Sequence, residues 1–453
     1  MKMHPEERRL EAWPAAVRLL ARWLDRHERV DELLESLPRG LSGVERARCQ
    51  HLVFGAVRHH GRLDAALRRL VPHAPRFPTR AVLLVAGVEL LEGAAGPAED
   101  GLVAKIVHHA VEQAKALTSP AEARLVNAVV RKLAPVLAAP PPPKLATAEV
   151  LAEYYSHPEW LVRRWLLAFG AEATRKLLEW NQQPAHVYAR WRNLSGAVPP
   201  AWLKASAWPG FFEVEPGHWP EVEPLLRNGD LYLQDPATRL AVELLAPQRG
   251  ETVLDLCAAP GGKSLLIADA LASGGAGSES AGRVVAFDLP PVAAEGAAAR
   301  PSPRIERLKE NLSRVRGADV ALVLGDVQRG AAMLLREHNL PEAFPAVLID
   351  VPCSNTGVMR HRVDVKWRLQ DTDIAKHGRQ QLALLHAAAR LVAPGGRLVY
   401  STCSLEPEEN DQVVRAFFDS RAGGPFKLER SVQSFPWITG HDGAGAFLLR
   451  RQA

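Results

Sequence analysis

Between residues 252 and 401, five short apolar runs alternate with segments of helical periodicity. The runs are 252–257, 283–287, 320–324, 346–349 and 397–401, and the helical patterns between them include 304–315 and 379–392. Strands separated in this way by helices pair in parallel, with helices packed on the sheet. The alternation therefore predicts a doubly wound α/β domain over residues 236–453, with ligands bound at the carboxyl ends of its strands. Two stretches rich in Gly, Ala, Ser and Pro, 273–282 and 290–303, interrupt the pattern and read as surface loops.

The first part of the chain has a different period. Segments 15–24, 47–58, 81–91, 102–116 and 121–133 place apolar residues three and four apart, which predicts an all-α domain over residues 1–135. The run Pro140-Pro141-Pro142-Pro143 cannot continue a helix, so 136–144 reads as a semi-rigid linker. Residues 145–235 mix a helical pattern at 160–169 with a strand pattern at 187–192, a small α+β region. With 47% hydrophobic and 24% charged residues, a chain of 453 residues can bury several cores and is not a disordered protein. No apolar run is long enough to span a bilayer, and the first residues are charged; a cytoplasmic protein is expected. Residues 1–140 carry 21 Lys/Arg against 16 Asp/Glu, which suits an anionic partner or is ordinary surface charge.

The four cysteines, Cys49, Cys257, Cys353 and Cys403, form no CxxC pair, so neither a structural metal nor a disulfide framework is expected. Three of them follow predicted strands. Cys257 opens Cys257-Ala258-Ala259-Pro260-Gly261-Gly262-Lys263, a strand-to-helix turn where glycines let a ligand approach the backbone; it has neither GxGxxG nor P-loop spacing. Asp288, Asp326 and Asp350 stand at the ends of the next three strands. Carboxylates there accept ribose hydroxyls and repel phosphates, so a phosphate-free, cationic nucleoside such as S-adenosylmethionine fits better than ATP or NADP. Cys353 lies in Asp350-Val351-Pro352-Cys353-Ser354-Asn355, and Cys403 in Ser401-Thr402-Cys403-Ser404. A thiolate adding to C6 of cytosine makes C5 nucleophilic enough to accept a methyl group, after which the C5 proton leaves and the thiol is eliminated.

These motifs resemble the Sun (Fmu) family of bacterial ribosomal RNA 5-methylcytosine methyltransferases. The segments 53–58, 108–115 and 125–131 are similar to the NusB-like helical RNA-binding domain found in that family. The resemblance implies a Rossmann-like catalytic domain with Cys403 as nucleophile and Cys353 aiding release of the methylated RNA. It implies that Asp350 contacts the target base near the cofactor, with Lys263 beside the active site. Cys257, Ala258, Ala259, Pro260, Gly261, Gly262 and Lys263 would wrap S-adenosylmethionine, with Asp288 at the ribose and Asp326 by the adenine. Ribosomal RNA is the implied partner, with no metal, no membrane and a monomeric chain. Asn355 stands where the family usually has Gly.

The base must be unpaired or flipped out to reach such a pocket. Arg360, Arg362, Lys366, Trp367 and Arg368 follow the first cysteine motif and suit phosphates and a stacked base; the alternative is a loop whose Trp packs into a core. Two other activities remain open: C5 methylation of transfer RNA or another ribosomal site, and a non-catalytic RNA-binding assembly factor. Amino-group methylation is disfavoured, because its Asn/Asp-Pro-Pro-aromatic motif is missing.

Overall fold

The structure is a computed structural model that describes residues 11–38, 40–96, 101–192, 197–273, 281–291 and 302–453. The predicted loops 273–282 and 290–303 lie almost wholly outside the described residues. The chain forms two compact units, Met1–Pro184 with Met359–Leu369, and Ala185–Val358 with Gln370–Ala453. Among the described residues no helix is long and apolar enough to cross a membrane.

The first unit is helical, as its periodicity predicts. Helices Ala12–Arg26, Gly43–Arg58, Phe77–Ala95, Leu102–Leu117 and Pro120–Leu137 contain the five predicted segments. They share one core that includes Leu20, Trp23, Leu52, Val85, Val126 and Leu133. Ser42 and Ser119 cap their helices by accepting from the backbone N–H three residues on, of Glu45 and Glu122.

The domain boundaries differ from the expectation. Helix Pro120–Leu137 runs through Pro135, and the proline run beyond it is not a division between compact units. The Arg175 guanidinium donates to the carbonyls of Pro142 and Pro143, tying that run to helix Glu159–Gln182. Ser156 Oγ accepts from Gly61 N at 2.8 Å, and Arg62 stacks on the Tyr154 ring at 4.1 Å. Residues 145–184 therefore join the helical unit, and the division falls at Pro184. A local proline signal reports where a helix cannot continue; it says nothing of the side chains that staple the break from elsewhere.

The second unit holds two sheets. The smaller contains β1 (Tyr188–Trp191), β2 (Leu203–Ala205), β3 (Phe211–Val214) and β4 (Leu231–Leu233), in the antiparallel order β2-β3-β1-β4. The larger contains β5 (Thr252–Leu256), β6 (Arg283–Asp288), β7 (Asp319–Leu324), β8 (Phe344–Asp350), β9 (Val392–Thr402), β10 (Phe426–Ser434) and β11 (Ala444–Arg451). Its order is β10-β11-β9-β8-β5-β6-β7. The five strands read from sequence are β5 to β9, all parallel to one another; β11, paired antiparallel to β9, and β10 extend the edge.

Both faces of the parallel strands are buried. Leu254, Leu256, Val347, Ile349 and Leu398 pack on one side, while Val253, Ala346, Leu348 and Val399 pack on the other. That two-sided burial produces continuous apolar runs rather than alternation. Arg190 of β1 and Arg192 just beyond it both pair with Asp269 of helix Gly262–Ala272, fastening the small sheet to the large one.

Candidate active site

Three strand ends build one cleft. After β5 the chain enters the turn at Cys257, whose φ of 58° is left-handed and uncommon for a residue with a Cβ. The turn then passes Gly261, at φ 102°, into helix Gly262–Ala272. A Cβ on Gly262 would lie 3.1 Å from Gln234 Nε2, so the absence of a side chain keeps the cleft open. Asn311 Nδ2 donates to Pro260 O at 2.7 Å and holds the turn from outside. Ala258, Ala259 and Pro260 line the cleft together with Tyr232, Gln234, Asp255, Lys263 and Asp350.

Asp288 ends β6 and is buried. It accepts from Ala259 N at 2.8 Å and Leu289 N at 2.7 Å, and pairs with Arg304 at 2.6 Å. Asp326, just past β7, accepts from Gln328 N at 2.9 Å, and is not among the residues lining the cleft. Asp350 ends β8. Its Oδ2 accepts from Lys263 Nζ and its Oδ1 from Ser401 Oγ, both at 2.7 Å. Burial works against the Lys263 charge, but the Asp350 carboxylate outweighs it and holds the ammonium above its ordinary range. Asp255 lies inside β5 and is fully buried. Burial pushes its carboxyl up to about 7, although Ser264 Oγ donates to it.

The two cysteines meet. Cys353 and Cys403 follow the adjacent parallel strands β8 and β9, and their sulfurs stand 3.1 Å apart as free thiols. Cys353 is buried and Cys403 is half-buried. The hydrogen bond shared with Cys403 and the burial of its site hold the Cys353 thiol well above the ordinary range. Asn355 donates to Cys353 O at 2.8 Å and accepts from Cys403 Sγ at 3.3 Å. Its φ is 61°, a conformation that Asn tolerates and Gly adopts freely, which accounts for Asn in a place where Gly is usual.

Gly357 lets the loops approach. Its N–H donates to Cys403 O at 3.0 Å, its carbonyl accepts from Gly443 N at 2.9 Å, and a Cβ there would lie 2.5 Å from Gly443 O.

The basic stretch is not an open phosphate site. Residues 359–369 belong to the helical unit. Lys366 is 1% exposed and donates to Arg58 O at 2.9 Å; Trp367 Nε1 donates to Val57 O at 2.8 Å. Arg360 is buried, donates to Pro184 O and stacks on Trp180 at 4.2 Å. Arg368 pairs with Asp364 at 2.8 Å, and Arg362 alone of the five is exposed. Burial, followed by the charge of Arg58, drives Lys366 far below its usual range. The expectation of a phosphate-and-stacking surface is thus corrected for Arg360, Lys366 and Trp367. Cations followed by an aromatic look alike in sequence whether they face water or carbonyl oxygens.

Tyr232, Gln234, Asp255 and Ser401 were not singled out from sequence as site residues. Tyr232 and Gln234 lie in and just beyond β4, far from any glycine or cysteine motif. Asp255 had a readable signal, a carboxylate within an apolar run.

Residues 242–430 match the family described as 16S rRNA methyltransferase RsmB/F, and residues 11–135 match the NusB family. Ribosomal RNA small subunit methyltransferase B of Sodalis glossinidius is 32% identical over 415 residues, covering 89% of this chain and 88% of that protein. Probable ribosomal RNA small subunit methyltransferase B of Bacillus subtilis is 31% identical, covering 76% of this chain and 78% of that one. Among solved structures, the protein PH0851 superposes with a TM-score of 0.72 at 22% identity, over 98% of this chain and 99% of that one. NSun6 from Pyrococcus horikoshii with SFG reaches 0.51 at 19% identity, over 65% of this chain and 98% of that one. At these identities the structural matches speak for the fold.

Proposed function

The chain belongs to the RsmB/F family of 16S rRNA methyltransferases, and from that premise we propose that it forms 5-methylcytosine in small-subunit ribosomal RNA, with S-adenosylmethionine as methyl donor and Cys403 as nucleophile. The observation that carries this reading is the pair of sulfurs 3.1 Å apart beside the Lys263–Asp350 ion pair. Methylation of an amino group needs no thiol, and a binding module needs neither.

The cleft residues fit the donor. Gly262 leaves room against Gln234; Asp288, buried at the end of β6, does not line that cleft but bonds to Ala259 of its wall, and its carboxylate has the chemistry to accept ribose hydroxyls in exchange for its bonds to Arg304. Lys263 and Asp350 would flank the methionine end, and Asp326 would lie toward the base. S-adenosylmethionine supplies an electrophilic methyl group for C5.

Cys403 Sγ adds to C6 of the cytosine, and the new C–S bond places electron density on C5. Asp350, already oriented by Lys263 and Ser401, accepts a hydrogen bond from the exocyclic amine of the base. After methylation, water in the cleft takes the C5 proton, the electron pair of that C–H bond closes the C5=C6 double bond, and the C6–S bond breaks so that Cys403 leaves as a thiolate. Cys353, next to that sulfur and held as a neutral thiol, is suited to donate a hydrogen bond to the departing thiolate during release.

The expected result of Cys403→Ala is loss of methyl transfer. Cys353→Ala should instead accumulate a covalent protein–RNA adduct, visible on a denaturing gel. The assay is tritium transfer to protein-free small-subunit ribosomal RNA, with transfer RNA in parallel and the labelled nucleoside identified. Label in 5-methylcytosine at one ribosomal position supports the proposal. Label confined to transfer RNA moves the substrate and keeps the chemistry, and full activity in Cys403→Ala removes the nucleophile assignment.

A further inference from the structure

Beneath the two cysteines lies a buried carboxylate that the chemistry above does not use. Glu409 is 0% exposed, in the short turn after β9. Its Oε1 accepts from Ser354 N at 2.8 Å and from Gln381 Nε2 at 2.9 Å. Its Oε2 accepts from the hydroxyls of Ser354 and Ser404. Ser354 directly follows Cys353, and Ser404 directly follows Cys403. Gln381 also donates to Pro352 O at 3.0 Å, and Tyr400 OH donates to Glu409 O at 2.6 Å. The two serine hydroxyls lie 3.1 Å apart, and Thr356 bonds to both.

An ionised carboxylate is costly to bury unless its oxygens are fully hydrogen-bonded. Here four donors satisfy it, and they come from both cysteine loops and from helix Asp371–Ala389. Charge-assisted bonds of this kind are shorter and stronger than neutral ones. The arrangement therefore has a mechanical consequence: neither loop can move away from the other without stripping donors from a buried charge.

We infer that Glu409 is the positioning residue that clamps the Cys353 loop to the Cys403 loop and so sets the distance between the two sulfurs. It touches neither cofactor nor base; it acts through Ser354 and Ser404. The Glu409 charge also adds to the effects that keep Cys353 protonated, behind the Cys403 hydrogen bond and burial. The clamp thus favours a division of labour in which Cys353 carries a proton while Cys403 attacks. The inference rests on the cytosine-C5 reading for its kinetic consequence, and its geometric content stands apart from it.

The test compares the full-length protein with Glu409→Gln and Ser354→Ala. Glu409→Gln keeps the shape but replaces one acceptor oxygen with a donor; Ser354→Ala removes one tie and leaves the carboxylate three donors. Three quantities are measured: the S-adenosylmethionine dissociation constant, kcat and KM on RNA, and the rate at which diamide couples Cys353 to Cys403. In that coupling the two thiols lose two protons and two electrons to form the disulfide, and the diazene is reduced to the hydrazine. The coupling rate reads the approach of the sulfurs without any RNA.

Glu409→Gln is expected to bind the cofactor within threefold of the parent. Its kcat should fall by about 10²-fold, the penalty for a reacting group misplaced by about 1 Å, and its coupling rate by about tenfold or more. Ser354→Ala should shift both in the same direction by less. Parental kcat and coupling in a cofactor-binding Glu409→Gln protein would overturn the inference. Should Glu409→Gln not fold, parental coupling in Ser354→Ala overturns it and slowed coupling supports it. Absence of cytosine methylation by the parent protein sinks the reaction reading instead, while the coupling rates still decide the clamp.

Discussion

Asp255 shows how one buried group ties stability to acidity. Its carboxyl is raised to about 7 in the folded protein, against about 3.9 in an unfolded chain. Between those values the folded form keeps a proton that the unfolded form has lost. Stability is therefore greatest at the acid end of the window and falls as pH rises, by up to about 1.4 kcal/mol per unit. Asp255→Asn, which cannot ionise, should flatten that slope and be relatively more stable at pH 8 than at pH 4. Urea midpoints of the two proteins across pH 4–8 check it. The same residue marks a limit of reading sequence. Within 252–257 its neighbours announce a strand, and the lone carboxylate in that apolar run signals a buried polar group without saying that it faces the cleft. Cys353 and Cys403 were legible because each follows a strand. Their separation of 3.1 Å was not, because it depends on Gly357 passing backbone to backbone and on Glu409 bonding to both loops.

Among the elements, the segment 359–369 departs furthest from its expected role. Its Val363 enters the helical core, and Lys366 and Trp367 donate to consecutive carbonyls of helix Gly43–Arg58. Among the described residues Lys366 has no ionic partner, and a cation so buried costs more than an apolar side chain of similar size. Lys366→Met should therefore be neutral or stabilising at pH 7. In the parent, the folded protein holds Lys366 below its unfolded pKa, so stability rises with pH toward about 10.4; the Met variant lacks that rise. Since a cation sealed from solvent displaces no counterions, the salt dependence of RNA binding should be unchanged in Lys366→Met. Melting at pH 7 and 9, with binding at two salt concentrations, tests both statements. The strands β5 to β9 were readable because burial on both faces makes continuous apolar runs. β10 was not, because most of its residues face solvent and its pairing along β11 is fixed by neighbours rather than by pattern.

For the whole molecule, the decisive fact is that the helical unit is discontinuous in sequence, Met1–Pro184 completed by Met359–Leu369. A fragment ending at residue 184 should melt lower than the same unit in the full chain, and a synthetic peptide of residues 359–369 should raise its melting temperature on titration. Circular dichroism with and without peptide is the measurement, and a fragment indifferent to the peptide contradicts the expectation. The chain's timetable follows from this layout. Trp367 and its acceptor Val57 are 310 positions apart. At the usual pace of elongation, about 5–20 residues per second, the first helices wait on the order of 15–60 seconds for their last piece. During that interval β5 to β8 are already being made. The helical unit therefore gains its last piece only after residues 185–358 of the second unit have been made, and until then a nascent chain carries its unfilled core as a temporary exposed surface for chaperones to find.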